Sequence, residues 1–258
     1  MKVWKSWVYW GEPSVDNPIA ETSVYRWGMV IDQDLCIGCE ACVAACVMEN
    51  NISYVGEVDA GYGRTMHWIH IERFWEGEYP NVKNTPFQPV LCQQCERAPC
   101  EPVCPVFASV HSLTNKTNLQ VYNRCVGTRY CANNCPYQVR VFNWRDFPLP
   151  EPLSNMLHPD VTVRRRGVME KCTFCLQRIL RADDLSDIEG RELKDGDVTP
   201  ACAQVCPTNA IVFGLLDDPE STVSKLARDG RAVRLLEELG TLPSITYLKG
   251  GPSYGRNG

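Results

Sequence analysis

Apolar residues along this 258-residue chain fall in short runs. The segments VYRWGMVID (24–32), HWIHIERF (67–74), SVHS (109–112), VRVFN (139–143) and AIVFG (210–214) are rich in β-branched and aromatic residues and flanked by turn signals, which predicts short strands. Helices are expected after the cysteine-rich loops, with LQRILRA (176–182) as one of them. Two more are expected near the C-terminus, DPESTVSKLARDG (218–230) and RAVRLLEELG (231–240). Pro219 stands early in the first, and Gly230 and Gly240 follow the ends. The longest apolar stretch, AIVFGLL (210–216), is far short of the ~20 residues that a bilayer requires. The opening MKVWKSWVYWGEP breaks at Gly11, Glu12 and Pro13, too early for a signal h-region, so no export or membrane address is expected in the chain itself.

A formal net charge of −5 argues against a nucleic-acid footprint, which needs a clustered basic surface. The one tight basic run, Arg164-Arg165-Arg166, reads as a solvated loop. Fifteen cysteines change the picture. An odd number cannot pair fully in disulfides, and all of them fall into four groups, which favours metal ligation. Group one holds Cys36, Cys39, Cys42 and Cys46. Group two holds Cys92, Cys95, Cys100 and Cys104. Group three holds Cys125, Cys131 and Cys135, and group four is split into Cys172 and Cys175, then Cys202 and Cys206.

The spacing is specific. C-x2-C-x2-C-x3-C is the run that wraps iron–sulfur clusters, and its fourth cysteine ligates the other cluster in two-cluster ferredoxins. Gly38 and Gly127 let the backbone approach the sulfurs, and Pro105, Pro136 and Pro207 follow the fourth cysteine and stop its turn. Group one has Val47 there, so its helix is expected to run on through Met48 and Glu49. Structural zinc also uses CxxC pairs, but it gives no reason for a third cysteine at x2 and a fourth at x3. His67, His70, His111 and His158 lie outside the groups and give Rieske-type ligation little support. Group three, RCVGTRYCANNCP, has Thr128 where the run would place a cysteine.

The stretches MVIDQDLCIGCEACVAACVMEN, VLCQQCERAPCEPVCP, NRCVGTRYCANNCPYQVRVFN, EKCTFCLQRI, PACAQVCPTNAIVFG and RLLEELGTLPSITYL span residues 29–248. In that order they resemble the four-cluster electron-transfer subunits of the complex iron–sulfur molybdoenzymes. Thr128 and the missing anchor resemble the menaquinone reductase (Qrc) and alternative complex III branch. The resemblance implies an α+β fold of two interleaved bacterial-ferredoxin-like modules with long loop insertions. One module spans 29–90 plus 142–214 and the other 91–141, between an N-terminal docking arm (1–28) and a C-terminal helical tail (215–258). Trp4, Trp7, Trp10 and Trp27 crowd the arm, and either packing on the chain's own surface or docking on a partner accounts for them.

Carried over residue by residue, the family's crosswise ligation implies three 4Fe–4S clusters. Cys36, Cys39, Cys42 and Cys206 would hold one. Cys172, Cys175, Cys202 and Cys46 would hold the second, and Cys92, Cys95, Cys100 and Cys135 the third. Cys104, Cys125 and Cys131 remain for the fourth, and with Thr128 at the missing corner they imply a 3Fe–4S cluster, as in the nitrate reductase beta subunit with tryptophan at that place. Two rivals stay open: Thr128 Oγ ligates a fourth iron, or the site is degenerate. Arg124, Arg129 and Lys171 adjoin cluster cysteines but read as solvated charges.

The resemblance further implies a non-catalytic subunit that relays electrons between a molybdopterin-type or cytochrome redox subunit and a quinone-binding integral membrane subunit. No acid–base pair, nucleophile or phosphate loop argues for substrate chemistry of its own. It would be membrane-associated through its partners, on the periplasmic face by partner-dependent export, with the cytoplasmic face as the other option. The alternative is a free soluble polyferredoxin.

Overall fold

The computed structural model describes residues 25–249. Residues 1–24, with Trp4, Trp7 and Trp10 of the expected arm, lie outside them. Strand β1 (Trp27–Asp32) is buried on both faces, as its unbroken apolar run requires. Met29 and Ile31 enter the main core, and Val30 packs with Val223 and Leu248 in a second, smaller one.

The chain continues through helices α1 (Ala41–Glu49) and α2 (Glu57–Gly61) to strand β2 (Ile69–Arg73), hairpin β3 (Glu76–Glu78) and β4 (Asn81–Asn84), then β5 (Phe87–Leu91), which pairs antiparallel with β2. Strands β6 (Ser109–His111) and β7 (Asn118–Gln120) form a second antiparallel pair. Helix α3 (Tyr130–Asn133) leads to β8 (Val141–Phe142) and its partner β9 (Met169–Glu170). Helices α4 (Leu176–Glu189) and α5 (Ala201–Gln204), strand β10 (Ile211–Leu215), helix α6 (Thr222–Leu226) and strands β11 (Ala232–Val233) and β12 (Ile245–Leu248) complete it. All five expected strands form, each within a few residues of its segment. Helix α1 does run on through Met48 and Glu49 where proline is missing.

The largest sheet has the order β10-β1-β12-β11. β1 lies antiparallel to β10, Ile31 opposite Ile211, and parallel to β12, Met29 opposite Ile245. Its strands therefore come from both ends of the described chain. Trp27 stacks on Phe213 at 5.3 Å, and Phe213 meets Phe174 edge-on at 5.1 Å.

The C-terminal segment departs from the expectation of two helices. The first forms as the single turn-and-a-half of α6, capped by Ser221 Oγ, which accepts the Ser224 N–H at 3.1 Å. Residues 231–240 form no α-helix. Ala232 and Val233 pair with Leu248 and Tyr247, and only Glu237–Leu239 coils, as a 3₁₀ turn. Ten residues are too few to hold a helix without a packed face, and the open edge of β12 offers hydrogen bonds instead. Among the described residues no helix is long and apolar enough to cross a membrane.

Candidate metal centres

The strand registers set the cysteines. Ile31 faces Ile211, and the Asp32 N–H donates to Ala210 O at 2.8 Å. Cys36 follows Asp32 by four residues and Cys206 precedes Ala210 by four, so both sit at one end of the pair. The β6–β7 pair repeats this. Ser109 faces Gln120, and the Val121 N–H donates to Ala108 O at 2.7 Å. Cys125 follows Val121 by four and Cys104 precedes Ala108 by four.

The thiols gather accordingly. Burial raises the Cys42 pKa to about 11, and the Cys36, Cys206 and Cys39 thiols add to the rise. Cys46 is driven well above the ordinary thiol value by burial and then by Cys172, Cys202 and Cys175. Cys95 is pushed up to about 12 by burial, then by Cys92, Cys100 and Cys135. Burial also raises Cys131, with Cys100 and Cys125 beside it. Neighbours between sets give their order: Cys202 feels Cys42, Cys172 feels Cys92, and Cys131 feels Cys100. The four sets therefore neighbour one another in turn, from the Cys36 set through the Cys46 and Cys92 sets to Cys125 and Cys131.

Local backbone geometry is shared. The residue before the second cysteine of each group, or before Thr128, is left-handed: Gly38 at φ +66°, Gln94 at +48°, Gly127 at +75° and Phe174 at +57°. Two residues further on, Glu40 (φ 61°) and Arg129 (φ 63°) begin α1 and α3 in the same conformation. The Thr128 loop thus keeps the shape of the loop that carries Cys39. Behind the Cys-Pro steps, Phe107, Gln138 and Asn209 are also left-handed. That turn aims the next N–H at sulfur: Ala108 N–H to Cys104 Sγ at 3.2 Å and Ala210 N–H to Cys206 Sγ at 3.3 Å, with Val139 N–H serving Cys135. Burial acts upward on Cys104 and Cys206, yet backbone donors outweigh it at Cys104, and the Thr208 hydroxyl together with backbone donors outweighs it at Cys206, so both thiols fall below their ordinary value.

The donor sets fit iron–sulfur clusters. Cys46, Cys172, Cys175 and Cys202 line one small pocket walled by Met29, Trp68 and Leu91. Cys92, Cys95, Cys100 and Cys135 line another. Among the described residues no three Cys, His, Asp or Glu side chains close on a single ion, as zinc would require. Buried thiols with raised pKa values become thiolates only against a cation, so the metal and the fold support each other.

The histidines are engaged elsewhere: His70 with Glu72, His111 with Glu101 and Cys95 O, and His158 Nδ1 accepting the Asp160 N–H at 3.2 Å, while His67 is exposed. Two charges read as solvated are buried instead. Lys171 is fully enclosed, its Nζ donating to Asn118 O and to Cys172 O at 2.9 Å. Arg164 pairs with buried Glu170 at 2.9 Å, and its guanidinium lies over Trp68 and Tyr122. Arg124 and Arg129 are exposed as expected. The sequence reading missed Asn50, whose Nδ2 reaches Cys46 Sγ at 3.6 Å and Cys175 Sγ at 3.8 Å. Its place four residues after Cys46, at the C-cap of α1, was a legible signal. It also missed Arg140, whose Nη2 lies 2.9 Å from Cys100 Sγ and which no local pattern marks.

Four neighbouring sets of thiols, most of them buried, on a small α+β scaffold are the mark of an iron–sulfur protein. The comparisons agree. The 4Fe-4S dicluster domain family matches residues 35–108 and again 124–210, and the fold is ferredoxin-like. The chain is 43% identical over 227 residues to the iron–sulfur cluster-binding subunit of menaquinone reductase from Nitratidesulfovibrio vulgaris, covering 86% of this chain and 88% of that one. It is 39% identical to the iron–sulfur subunit of a putative dimethyl sulfoxide reductase of Halobacterium salinarum, covering 90% of this chain and 82% of that one. It is 32% identical to iron–sulfur subunit 1 of the Hdr-like menaquinol oxidoreductase of Archaeoglobus fulgidus, covering 92% and 88%. The chain belongs to the family of iron–sulfur electron-transfer subunits of the complex iron–sulfur molybdoenzymes.

Proposed function

We propose that this subunit carries three 4Fe–4S clusters and one 3Fe–4S cluster and relays electrons to or from a quinone-binding integral membrane subunit. The other partner is a molybdopterin-type or cytochrome redox subunit. The order of the neighbouring thiol sets carries the reading. Both ends of that series reach the surface, since Cys39 is exposed at one and Thr128 at the other. Clusters bound there supply one-electron carriers whose potential follows cluster type, charge, hydrogen bonds to sulfur and exposure. The chain's part is to hold the thiolates, donate backbone N–H groups to them and keep water from the inner sets.

Cys36, Cys39, Cys42 and Cys206 hold the first cluster, and Cys46, Cys172, Cys175 and Cys202 the second. Cys92, Cys95, Cys100 and Cys135 hold the third, and Cys104, Cys125 and Cys131 the fourth, with two ferredoxin-like modules interleaved in the chain. The kept loop shape at Thr128 and the repeated strand register at Cys104 and Cys125 favour an intact three-thiolate site over a degenerate one. Exposed apolar side chains at both ends, Leu35 and Ile37 at one and Val126 and Tyr130 at the other, favour a fixed subunit over a free polyferredoxin. The name of the relative from N. vulgaris supports the menaquinone-linked branch. Membrane association then comes through partners, on the periplasmic face.

Low-temperature EPR of the oxidised protein with an iron determination tests this. A near-isotropic oxidised signal, lost on mild reduction, with about fifteen irons per chain is expected. A silent oxidised sample with about sixteen irons would assign Thr128 a ligand role, and about twelve irons would make the fourth site degenerate.

A further inference from the structure

Arg140 is a charged side chain with nothing charged beside it except sulfur. It is 6% exposed, at the foot of β8. Nη1 donates to Gln120 Oε1 at 2.8 Å. Nη2 donates to Ser109 Oγ at 2.6 Å, to Asn118 Oδ1 at 2.9 Å and to Cys100 Sγ at 2.9 Å. Cys131 packs in one buried cluster with Cys100, and the charge of the guanidinium acts on its thiol as well. Every oxygen partner is neutral, and among the described residues no carboxylate forms an ion pair with it. Glu101, the nearest acid in this network, is held by Asn118 Nδ2 at 2.5 Å and His111 at 2.7 Å.

A buried guanidinium without a counter-charge is strongly disfavoured. The anions that face Arg140 are thiolates of two different sets. Cys100 belongs to the Cys92 set and Cys131 to the Cys125 set. We propose that Arg140 is a shared counter-ion for the third and fourth clusters, a positioning residue whose fixed charge favours the added electron on either cluster and screens each from the other. The inference rests on the ligand sets given above.

The sign follows from electrostatics. One-electron reduction makes a cluster more negative, and a cation at hydrogen-bond distance stabilises that state more than the oxidised one. No proton or bond changes are needed. Ser109 adds a second donor to the same sulfur, 3.4 Å from Cys100 Sγ, so the site is built for hydrogen bonding to that thiolate as well as for charge.

The test is a mediated dithionite titration of the iron-loaded protein followed by EPR, resolving the individual centres, on the parent and three variants. Arg140→Gln removes the charge and keeps a donor. Arg140→Lys keeps the charge. Gln120→Glu places a carboxylate against Nη1 at unchanged volume and neutralises the field without touching the arginine. Arg140→Gln and Gln120→Glu are expected to lower the potentials of two centres together, by at least tenfold in the reduction equilibrium, which is about 59 mV for one electron. Arg140→Lys should restore most of the shift, and the other two centres should stay within a few-fold of the parent. Unmoved potentials in either charge-altering variant at full iron content would overturn the proposal, and so would a shift confined to one centre. If Arg140→Gln loses iron, Gln120→Glu decides alone. Iron content and the oxidised EPR signal of the parent report separately on the ligand sets, so a failure of that reading is distinguishable from a failure of this one.

Discussion

Gly127 offers the sharpest test of the fourth site, because the cost of a single methyl group there is readable from the backbone. At φ +75° any L-residue is strained, by about 1–2 kcal/mol. An added Cβ would also stand 2.5 Å from Gly167 O and 3.1 Å from Phe142 Cε2. The first neighbour is backbone. Gly167 is itself pinned by its N–H to Asn143 O at 2.7 Å, so the carbonyl cannot simply turn away. Strain and clash together reach about 2–4 kcal/mol, roughly 30- to 1,000-fold in the population of the cluster-holding loop. Gly127→Ala is therefore expected to lose the oxidised EPR signal and about three irons per chain while the other clusters stay. Gly190→Ala is the control. Its φ is +66° with nothing within 4 Å of the added Cβ, so only strain of about 1 kcal/mol applies and iron content should hold. Full iron and an unchanged signal in Gly127→Ala would refute the claim that this loop wraps a cluster.

Other outcomes follow from the same geometry. Thr128→Cys places a thiol on a loop already shaped like that of Cys39 and should convert the site to four irons, abolishing the oxidised signal and lowering its potential; iron content and EPR read this directly. Thr128 is exposed, so fold stability should change by less than about 0.5 kcal/mol. Glu170→Leu breaks the fully buried pair with Arg164, strands Trp68 Nε1 and leaves Asn143 Nδ2 only its weaker bond to Arg164 O. The expected loss is about 3–5 kcal/mol, seen as faster cluster bleaching on heating, and Arg164→Met with Glu170→Leu should recover part of it. Asn50→Ala removes a donor shared by Cys46 and Cys175 and should lower the potential of the second cluster alone, measured by redox titration.

Much of the site was legible because iron–sulfur ligation is local. The x2-x2-x3 spacing of Cys36 to Cys46 dictates a loop followed by one helical turn, and that is what α1 builds. The strands flanking the cysteine groups were legible for a similar reason, since AIVFG and VYRWGMVID need only their own composition to be extended. What escaped was set by distant partners. Phe87–Leu91 contains Pro89, which argues against a central strand, yet it pairs with β2 as one half of an isolated two-stranded ladder. Ala232–Val233 looks helical in sequence and is extended because β12 lies beside it. Lys171 and Arg164 look like solvent charges because composition records charge and not depth. Only the tertiary fold reveals that Lys171 Nζ ends on carbonyls of two separate segments.

Group three kept three cysteines and lost one, and the strand registers explain why that loss is tolerable. The pairs β1–β10 and β6–β7 each bring one opening cysteine and one Cys-Pro cysteine to the same end of a ladder, with the same four-residue offsets on both sides. The three cysteines proposed for the fourth site are therefore placed by backbone pairing, by left-handed Gly127 and Arg129, and by the N–H groups behind Pro105. None of these depends on the side chain at position 128. In the Cys36 loop the equivalent corner points outward, as the exposure of Cys39 shows, and Thr128 is likewise exposed. A missing ligand there opens the cluster toward the surface without unfolding its cradle. Arg140 is buried on the other side, with Nη2 2.9 Å from Cys100 Sγ. On the proposed ligand set the site would lack an anion outside and keep a cation inside, and both would act in one direction on its potential, toward easier reduction.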